Sequence, residues 1–277
     1  MRTVKSLARN AKGQYEITIA GDDGVTAPFR LSEDLVVEFR LIVGRTVDEP
    51  TYARFLKELD VDGLYDACLR LISRAARTSR EIRAYLSDKT SDPVLADKVY
   101  AKLLAKGFVD DRAYALSYVD YHFGVRRDGP VKLRFDLEQK GVYRDYVEEA
   151  VGSLEDDAVH RNLAVLFDKK LPALRAQPRE KACQSMKGYL YRKGYEAGVV
   201  FAYCDGRKDD FPAGEEEDGK AAADLAKAKR RLRDSALDGY ALRAKLVAAM
   251  MNKGYRYETI KRVMEESETD ASENDRV

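Results

Sequence analysis

The chain has few of the residues from which enzyme active sites are usually built. Its two histidines, His122 and His160, stand at no spacing from a cysteine or an aspartate that suits a metal site or a catalytic triad. No glycine-rich phosphate-binding loop of the GxxxxGK[ST] type occurs. The acidic pair at residues 110–111 is interpreted as a cap for the following helix, not as a metal site. We therefore predict that the protein is not an enzyme and holds no metal ion or cofactor.

Long apolar runs and paired cysteines are also missing. No run approaches the roughly 18 apolar residues of a membrane span, and the N-terminus lacks the apolar core of a signal peptide. The three cysteines, Cys68, Cys183 and Cys204, are odd in number and far apart. That pattern favours reduced thiols over a disulfide framework. We expect a cytoplasmic protein with no membrane partner.

The net charge of +1 conceals an uneven distribution along the chain. Residues 205–218 carry seven acids and two bases, and residues 265–277 carry six acids and one base, which is a net charge of −5 for each segment and +11 for the remainder. We interpret the two acidic segments, including residues 215–218, as a flexible solvated loop and a frayed tail. The basic remainder would attract a polyanion or an acidic protein surface, although charged helix faces are often only solvated.

The first 62 residues have a pattern of their own. Residues 15–19 alternate like a half-buried strand, residues 21–24 have the composition of a turn, and residues 25–31 can form the returning strand of a hairpin. Ser32 is expected to cap a helix. A second helix is expected to begin near Asp48, with Pro50 in its first turn.

The rest of the chain is helical in pattern and contains a repeat. Four helix-like stretches end in Lys-Gly, at Gly107, Gly141, Gly194 and Gly254, and glycine in the left-handed conformation commonly closes a helix. Apolar residues recur four and eight positions before the last three glycines, and six and nine positions after them. The same frame fits Thr90 and not Gly107, which makes the intervals 51, 53 and 60 residues. The missing glycine predicts a differently closed turn at residues 90–93.

A further helix precedes each helix–turn–helix, so every repeat has three helices. A repeat of about 50 residues buries little surface alone and must stack on its neighbours. We predict a mainly α fold of tandem three-helix repeats stacked into an elongated curved array, with a small N-terminal α+β module. The expected segments are 1–62 for the module with its β-hairpin, 63–109, 110–155 and 156–209 for repeats 1 to 3, 210–266 for the acidic loop and repeat 4, and 267–277 for a disordered acidic tail.

Basic residues are dense in the second and third repeats, and tyrosines are interleaved with them in the third. Lysine and arginine neutralise phosphates and tyrosines stack on bases, but an acidic protein surface would match the same cations. The candidate residues for binding a partner or DNA are Arg126, Arg127, Lys132, Arg134, Lys140, Lys169, Lys170, Arg175, Arg179, Lys181, Lys187, Arg192 and Lys193.

Several motifs in residues 64–151 occur in a recognisable order. Residues 77–82 (RTSREI) combine an arginine, small hydroxyl residues and a Glu-apolar pair, and residues 103–111 read LLAKGFVDD. Residues 127–142 carry a basic Gly-Pro, two spaced leucines and Lys-Gly-Val. In order and spacing these motifs resemble the RecX family, the bacterial modulators of the RecA recombinase. The N-terminal module is similar in kind to the extension of longer members from Gram-positive bacteria. Thr90 and the acidic loop depart from the family pattern.

The resemblance implies a non-enzymatic regulator that binds in the groove of the RecA–single-stranded DNA filament. It would inhibit filament extension, strand exchange, ATP hydrolysis and co-protease activity, in recombination, DNA repair and the SOS response. The implied partners are the RecA filament and, in addition, single- and double-stranded DNA, with the chain acting as a monomer. Two alternatives stay open: a general DNA-binding helical-repeat protein, and a scaffold for another acidic protein.

Overall fold

The computed structural model describes residues 1–11, 13–233 and 239–274, with side chains through residue 268. The strands are β1 (Arg2–Arg9), β2 (Tyr15–Gly21), β3 (Thr26–Leu31) and β4 (Thr46–Val47). The helices are α1 (Glu33–Glu38), α2 (Glu49–Ile72), α3 (Ser79–Lys89), α4 (Pro93–Ala105), α5 (Asp111–Gly124), α6 (Pro130–Gln139), α7 (Arg144–Gly152), α8 (Asp156–Lys170), α9 (Arg179–Arg192), α10 (Ala197–Gly206), α11 (Glu215–Leu232), α12 (Gly239–Lys253) and α13 (Tyr257–Asn274). The chain divides into two compact units, one of Met1–Tyr118 with Asp136–Ala150 and the other of Val119–Phe135 with the chain from Val151 onward.

The N-terminal strands form a four-stranded antiparallel sheet in the order β3-β2-β1-β4. The expected hairpin is confirmed as β2 and β3, which pair from Tyr15↔Leu31 to Ala20↔Thr26. Strands β1 and β4 were not anticipated. A register shift in β1 between Val4 and Ser6 interrupts its alternation, which explains why period-two patterning did not identify it.

Helix α2 is a single element where the sequence suggested two. The Asp48 side chain accepts a hydrogen bond from the Thr51 amide at 2.8 Å, and Pro50 lies in the first turn, as expected. The helix then continues to Ile72, so the first helix expected in repeat 1 is its second half. The expected boundary between residues 62 and 63 falls inside the helix. No glycine or proline signal interrupts the α2 pattern except Gly63, which alone does not end a helix.

The two halves of α2 belong to different hydrophobic clusters. Phe55, which is 1% exposed, packs with the sheet residues Ile17 and Leu31. Its ring meets the rings of Phe29 and Phe39 edge-on, with centroids 5.6 and 5.5 Å apart. Tyr65 and Cys68 in the second half pack with α3 and α4 instead. The helix therefore ties the N-terminal module to the first repeat without a linker.

Asp62 makes a second connection between α2 and the sheet. It is 3% exposed and accepts hydrogen bonds of 2.7 Å from both the amide and the hydroxyl of Ser32. Ser32 occupies the N-cap position of α1, as expected, but its hydroxyl does not cap the helix. A buried carboxylate is tolerated here because two donors replace its water.

The chain after α2 is built of three-helix repeats. Each repeat ends in a helix–turn–helix pair: α3–α4, α6–α7, α9–α10 and α12–α13. The frame positions four and eight residues before each turn are buried, and their exposure is 3% or less: Ile82, Leu86, Leu133, Leu137, Met186, Leu190, Leu246 and Met250. The helix-spaced pattern therefore predicted these eight core positions correctly, whereas Tyr203, nine positions after Gly194, is only partly buried.

Two expectations about the acidic segments are wrong. Residues 215–218 are not a solvated loop but the first turn of α11, where carboxylates lie beside unpaired amides. Glu217 is 8% exposed, and its carboxylate accepts a 3.1 Å hydrogen bond from the Arg179 amide. The chain also stays helical through Asn274, so a disordered tail does not begin at 267. Residues 275–277 lie outside the described part of the chain.

Two further properties concern the described residues as a whole. None of their helices is both long and apolar enough to cross a membrane. The three cysteines are free, with Cys68 and Cys204 buried. Burial raises the pKa of the Cys68 thiol to about 11, so this thiol stays protonated at neutral pH.

Replacing Asp62 by alanine should lower the free energy of unfolding by about 1–3 kcal/mol, because the Ser32 amide and hydroxyl lose a buried acceptor. Denaturant unfolding followed by circular dichroism measures the change. Asp60→Ala is the matched control, since Asp60 is exposed on the same helix. Equal stability of the two variants would contradict a structural role for the Ser32–Asp62 contact.

Candidate binding surface

Three of the Lys-Gly ends have the same backbone geometry. Gly141, Gly194 and Gly254 have φ values of +75°, +88° and +104°, a region that favours glycine. In each, the glycine amide and the next amide bond back into the preceding helix, as at Gly194→Tyr191 O and Tyr195→Leu190 O. Each glycine also touches the first turn of the second helix of the preceding repeat. We call these three contacts the turn junctions.

The first turn junction joins Thr78–Arg80 to Lys140–Gly141. Thr78 is fully buried and caps α3 reciprocally with Glu81, at 3.3 Å from its hydroxyl oxygen to the Glu81 amide and 3.0 Å from its own amide to the Glu81 carboxylate. Its hydroxyl donates to the Lys140 carbonyl at 2.9 Å. A Cβ at Gly141 would overlap the Arg80 side chain. One threonine thus bonds to an amide at the start of one helix and to a carbonyl at the end of another, in neighbouring repeats.

The second turn junction joins Asp128–Lys132 to Lys193–Tyr195 through the backbone. The Gly129 amide donates to the Lys193 carbonyl at 2.6 Å, and the Val131 amide donates to the Gly194 carbonyl at 3.0 Å. These are amides of the first turn of α6, which have no partner within their own helix. A Cβ on either glycine would overlap the other repeat's chain. The close approach therefore requires glycine on both sides.

Asp128 lies at the centre of the charged side chains of the second turn junction. It is 1% exposed, and its carboxylate lies 3.0 Å from Lys132 Nζ, 3.3 Å from Lys193 Nζ and 3.7 Å from Arg126 Nε. The His122 ring nitrogen is 3.4 Å away. Burial alone would raise the pKa of Asp128, but hydrogen bonds from Lys132 and His122 and the charges of both lysines outweigh it, so the pKa lies below its usual range.

The third turn junction joins Arg179–Lys181 to Gly254–Arg256. A Cβ at Gly254 would come within 2.8 Å of the Lys181 Cβ. Arg256 pairs with Glu180 at 2.8 Å, and the Arg179 amide is capped by Glu217, as described above. This junction is thus held mainly by side chains, whereas the second is held by backbone hydrogen bonds.

Thr90 and Gly107 show what the glycines are needed for. Thr90 is extended, with φ −143°, and Asp92 caps α4 from the same turn through 2.9 and 3.3 Å bonds from two amides. The prediction of a differently closed turn is confirmed. Gly107 has φ +71°, but a Cβ added to it would meet no described atom within 4 Å. It closes α4 without making a junction.

Asp110 caps the following helix, as expected, whereas Asp111 caps an earlier one. Asp110 accepts a 2.9 Å hydrogen bond from the Ala113 amide at the start of α5. Asp111 accepts a 2.7 Å bond from the Ser79 amide at the start of α3. Within the described ranges, no three or more histidine, cysteine, aspartate or glutamate side chains come together as a group that could hold a metal ion.

The structure separates the predicted basic residues into two groups. The first group has partners inside the protein, so much of its charge is already balanced. Lys140 lies 3.6 Å from Glu81, Arg179 lies 3.6 Å from Asp209, and Arg134 lies 4.0 Å from Glu196. Arg126, Lys132 and Lys193 surround Asp128. Arg127 bonds to the Val125 carbonyl at 3.4 Å, and its own carbonyl accepts from the Tyr195 hydroxyl.

The second group forms no ion pair among the described residues and lies in the third repeat. Lys170 Nζ lies 5.6 Å from the ring centre of Tyr189, and Lys187 Nζ lies 4.3 Å from that of Phe201. Phe201 is 52% exposed and packs edge-on with Tyr191. The remaining members are exposed: Lys169, Arg175, Lys181 and Arg192. We call these last four the exposed cations of repeat 3.

Sequence reasoning missed Thr78 and Asp128 as junction residues. Asp128 and Lys193 are 65 positions apart, so no local pattern relates them. A usable signal was present in the Asp-Gly-Pro start of α6, since a carboxylate before a proline-led helix normally caps it. Here the carboxylate is turned to the neighbouring repeat's lysine instead.

Gly194→Ala should lower the free energy of unfolding by about 2 kcal/mol or more, because it combines an unfavourable left-handed backbone with displacement of Lys132. Gly107→Ala is the matched control, with a left-handed glycine in open space, and should cost about 1 kcal/mol. Thermal unfolding by circular dichroism compares them. A loss at Gly107 equal to that at Gly194 would show that backbone strain alone accounts for the effect.

Asp128→Asn should lower the free energy of unfolding on the order of 2 kcal/mol near pH 7. A depressed carboxyl pKa stabilises the folded state above the unfolded pKa of about 3.9 and loses that contribution as the pH falls through the folded value. The difference in the free energy of unfolding between wild type and variant should therefore be constant above about pH 5 and shrink below about pH 4. Urea titrations across this pH range measure that difference. A difference independent of pH would refute the stabilising role of the ionised Asp128 carboxylate.

Comparison with known proteins locates the same repeats. Models of the RecX first, second and third three-helix domains match residues 65–103, 110–151 and 215–264. The matched third domain is the fourth repeat in this chain, and residues 156–209 lie between the second and third matches.

Relatives and a solved structure agree over most of the chain. Regulatory protein RecX of Geobacillus sp. (strain WCH70) is 24% identical over 274 residues, covering 96% of this chain and 97% of its own length. That of Limosilactobacillus reuteri (strain DSM 20016) is 28% identical over 254 residues, covering 91% and 92%. A crystal structure of regulatory protein RecX superposes with a TM-score of 0.59 at 25% identity, covering 74% of this chain and all of its own. The chain belongs to the RecX family of regulatory proteins.

Proposed function

We propose that this protein regulates the RecA recombinase by binding in the groove of the RecA–single-stranded DNA filament. Bound there, it limits filament extension and lowers strand exchange, ATP hydrolysis and co-protease activity, in recombination, DNA repair and the SOS response. The observation that supports the proposal is membership of the RecX family across three matched three-helix domains. The chain acts without a cofactor and in the cytoplasm.

The mechanism is differential binding. A ligand shifts a filament only between states that it binds with different affinity, so the protein must favour the state in which extension or strand exchange is blocked. Within each compact unit, the turn junctions hold neighbouring repeats in one arrangement. Weak contacts from joined repeats then act together, because the first contact raises the effective concentration of the next.

The exposed cations of repeat 3 are the best supported contacts. None of them forms an ion pair among the described residues, although the charge of Arg175 acts on the Glu216 carboxylate. Their charge is therefore largely available to phosphates or to acidic side chains. Lys132, Lys140 and Lys193, which pair with carboxylates at the turn junctions, are poorer candidates, because breaking those pairs would cost stability. This narrows the broad basic surface expected from the sequence.

The direct test is a titration of the purified protein into a RecA–single-stranded DNA ATPase assay, with binding to DNA alone measured in parallel. We expect ATP hydrolysis to fall at protein concentrations well below those needed for binding to free DNA. Unchanged ATP hydrolysis and strand exchange at a large excess of protein would refute the proposal.

Charge reversal at Lys169, Arg175, Lys181 and Arg192 together should raise the concentration for half-inhibition by roughly tenfold or more, because four favourable charges become repulsive. The matched control reverses Lys5, Lys57, Arg74 and Arg144, which are also exposed and have no ion-pair partner among the described residues. Inhibition by the control set should match wild type. Equal inhibition by both sets would place the contact elsewhere.

A second function, binding of DNA by itself, is favoured by the same unpaired cations. It predicts tight binding to an oligonucleotide without RecA, with an affinity that falls steeply with salt because each neutralised phosphate releases counterions. Weak binding to free DNA together with strong inhibition of RecA would exclude it as the main activity.

A further inference from the structure

A groove runs between α11 and α12 in the fourth repeat, and no described residue of α13 lines it. It has a volume of about 510 Å³ and is lined mostly by apolar atoms. Its floor includes the small side chains Ala228, Ala248 and Ala249. Alanine keeps the backbone of both helices close to the surface, so another helix can approach closely.

Basic side chains line the rim of this groove. Lys227 and Arg231 rise from α11, and Lys245 and Lys253 rise from α12. Asp224 is the single acid among the described lining residues; it pairs with Lys253 at 2.8 Å and Lys227 at 3.6 Å. Arg231 and Lys245 form no ion pair with any residue that the structure describes. The groove therefore combines an apolar floor with unbalanced positive charge.

The same two helices already pack against an acidic helix. Helix α13 buries Ile260, Val263 and Met264 in the cluster that it shares with α11 and α12. Its acid Glu268 pairs with Arg243 of α12 at 3.1 Å. The chain thus contains one example of the packing that the open groove offers: apolar side chains inward and carboxylates toward basic residues at the edges.

We propose that the α11–α12 groove docks an acidic amphipathic helix of a partner protein. The partner's apolar side chains lie on the alanine floor, and its carboxylates pair with Arg231 and Lys245. A nucleic-acid backbone fits less well, because phosphates gain nothing from an apolar floor. A second copy of this chain offers no suitable helix in α13, since the apolar face of α13 is already buried. The inference goes beyond the proposed function and is tested without RecA.

The test uses the full chain with one tryptophan as a reporter. The protein has none, so Asn252→Trp, at an exposed position lining the groove, makes every change in tryptophan fluorescence local. The probe is a stapled helical peptide of roughly 15 residues. Leucines spaced i, i+3 and i+4 form one face of the helix in every two turns, and glutamate occupies the other positions. The staple is needed because short helices are marginal in water. We expect saturable binding with Kd below about 100 μM, that is more than about 5 kcal/mol. A peptide with lysine in place of glutamate should not bind.

Two variants in the reporter background locate the contact. Arg231→Glu should weaken binding at least about tenfold, whereas Arg230→Glu, exposed on the same helix but outside the groove, should leave it unchanged. Ala248→Phe should abolish binding by filling the floor. Circular dichroism melts verify that each variant is folded. If Ala248→Phe does not fold, the Arg231→Glu variant alone decides the test.

Several results would overturn the proposal. The first is a reporter that does not respond to saturating acidic peptide. The second is an equal loss of binding in Arg231→Glu and Arg230→Glu. The third is displacement of the peptide by an oligothymidine with the same dependence on Arg231, which would assign the groove to nucleic acid.

Discussion

The close approach of two backbones at the turn junctions is the contact on which the rest of the repeat architecture depends. It is possible because Gly141, Gly194 and Gly254 have no Cβ where the first turn of another helix arrives. Their positive φ values direct the chain from one helix into the next and leave the turn flat enough to be packed against. The same residue therefore closes a helix and makes the interface between repeats.

That interface also accounts for backbone groups that a helix leaves unpaired at its ends. The Gly129 and Val131 amides bond to carbonyls at the end of α9, and the Thr78 hydroxyl bonds to the Lys140 carbonyl at the end of α6. A helix start has amides without an acceptor, and a helix end has carbonyls without a donor. The start of one helix and the end of another can therefore supply each other's missing hydrogen-bond partners. Apolar burial supplies attraction without direction, whereas these bonds set the register of one repeat on the next.

Much of the fold could be read from the sequence because its determinants are local. Apolar residues at positions −4 and −8 from each turn lie on one helix face, so Leu133, Leu137, Met186 and Leu190 were identifiable as core from spacing alone. The hairpin followed from alternation and turn composition. Strand β1 and the continuity of α2 did not, since a bulge and a single glycine have more than one structural outcome.

The binding surface was predicted less well than the fold, and the reason is distance along the chain. Whether a lysine is available to a partner depends on where its nearest carboxylate lies, and Asp128 reaches Lys193 from 65 positions away. Counting charges along the sequence includes both residues but does not reveal that they form an ion pair. Glu217 was misread for the same reason, because the amide that it accepts from belongs to Arg179, 38 positions before it.

Thr90 gives the series of repeats a defined beginning. A further repeat placed ahead of the first would have to pack its helix start on this turn, where an extended threonine with a Cβ replaces the left-handed glycine. Every later repeat has a glycine at this position, and its missing Cβ leaves room for the helix start that packs there.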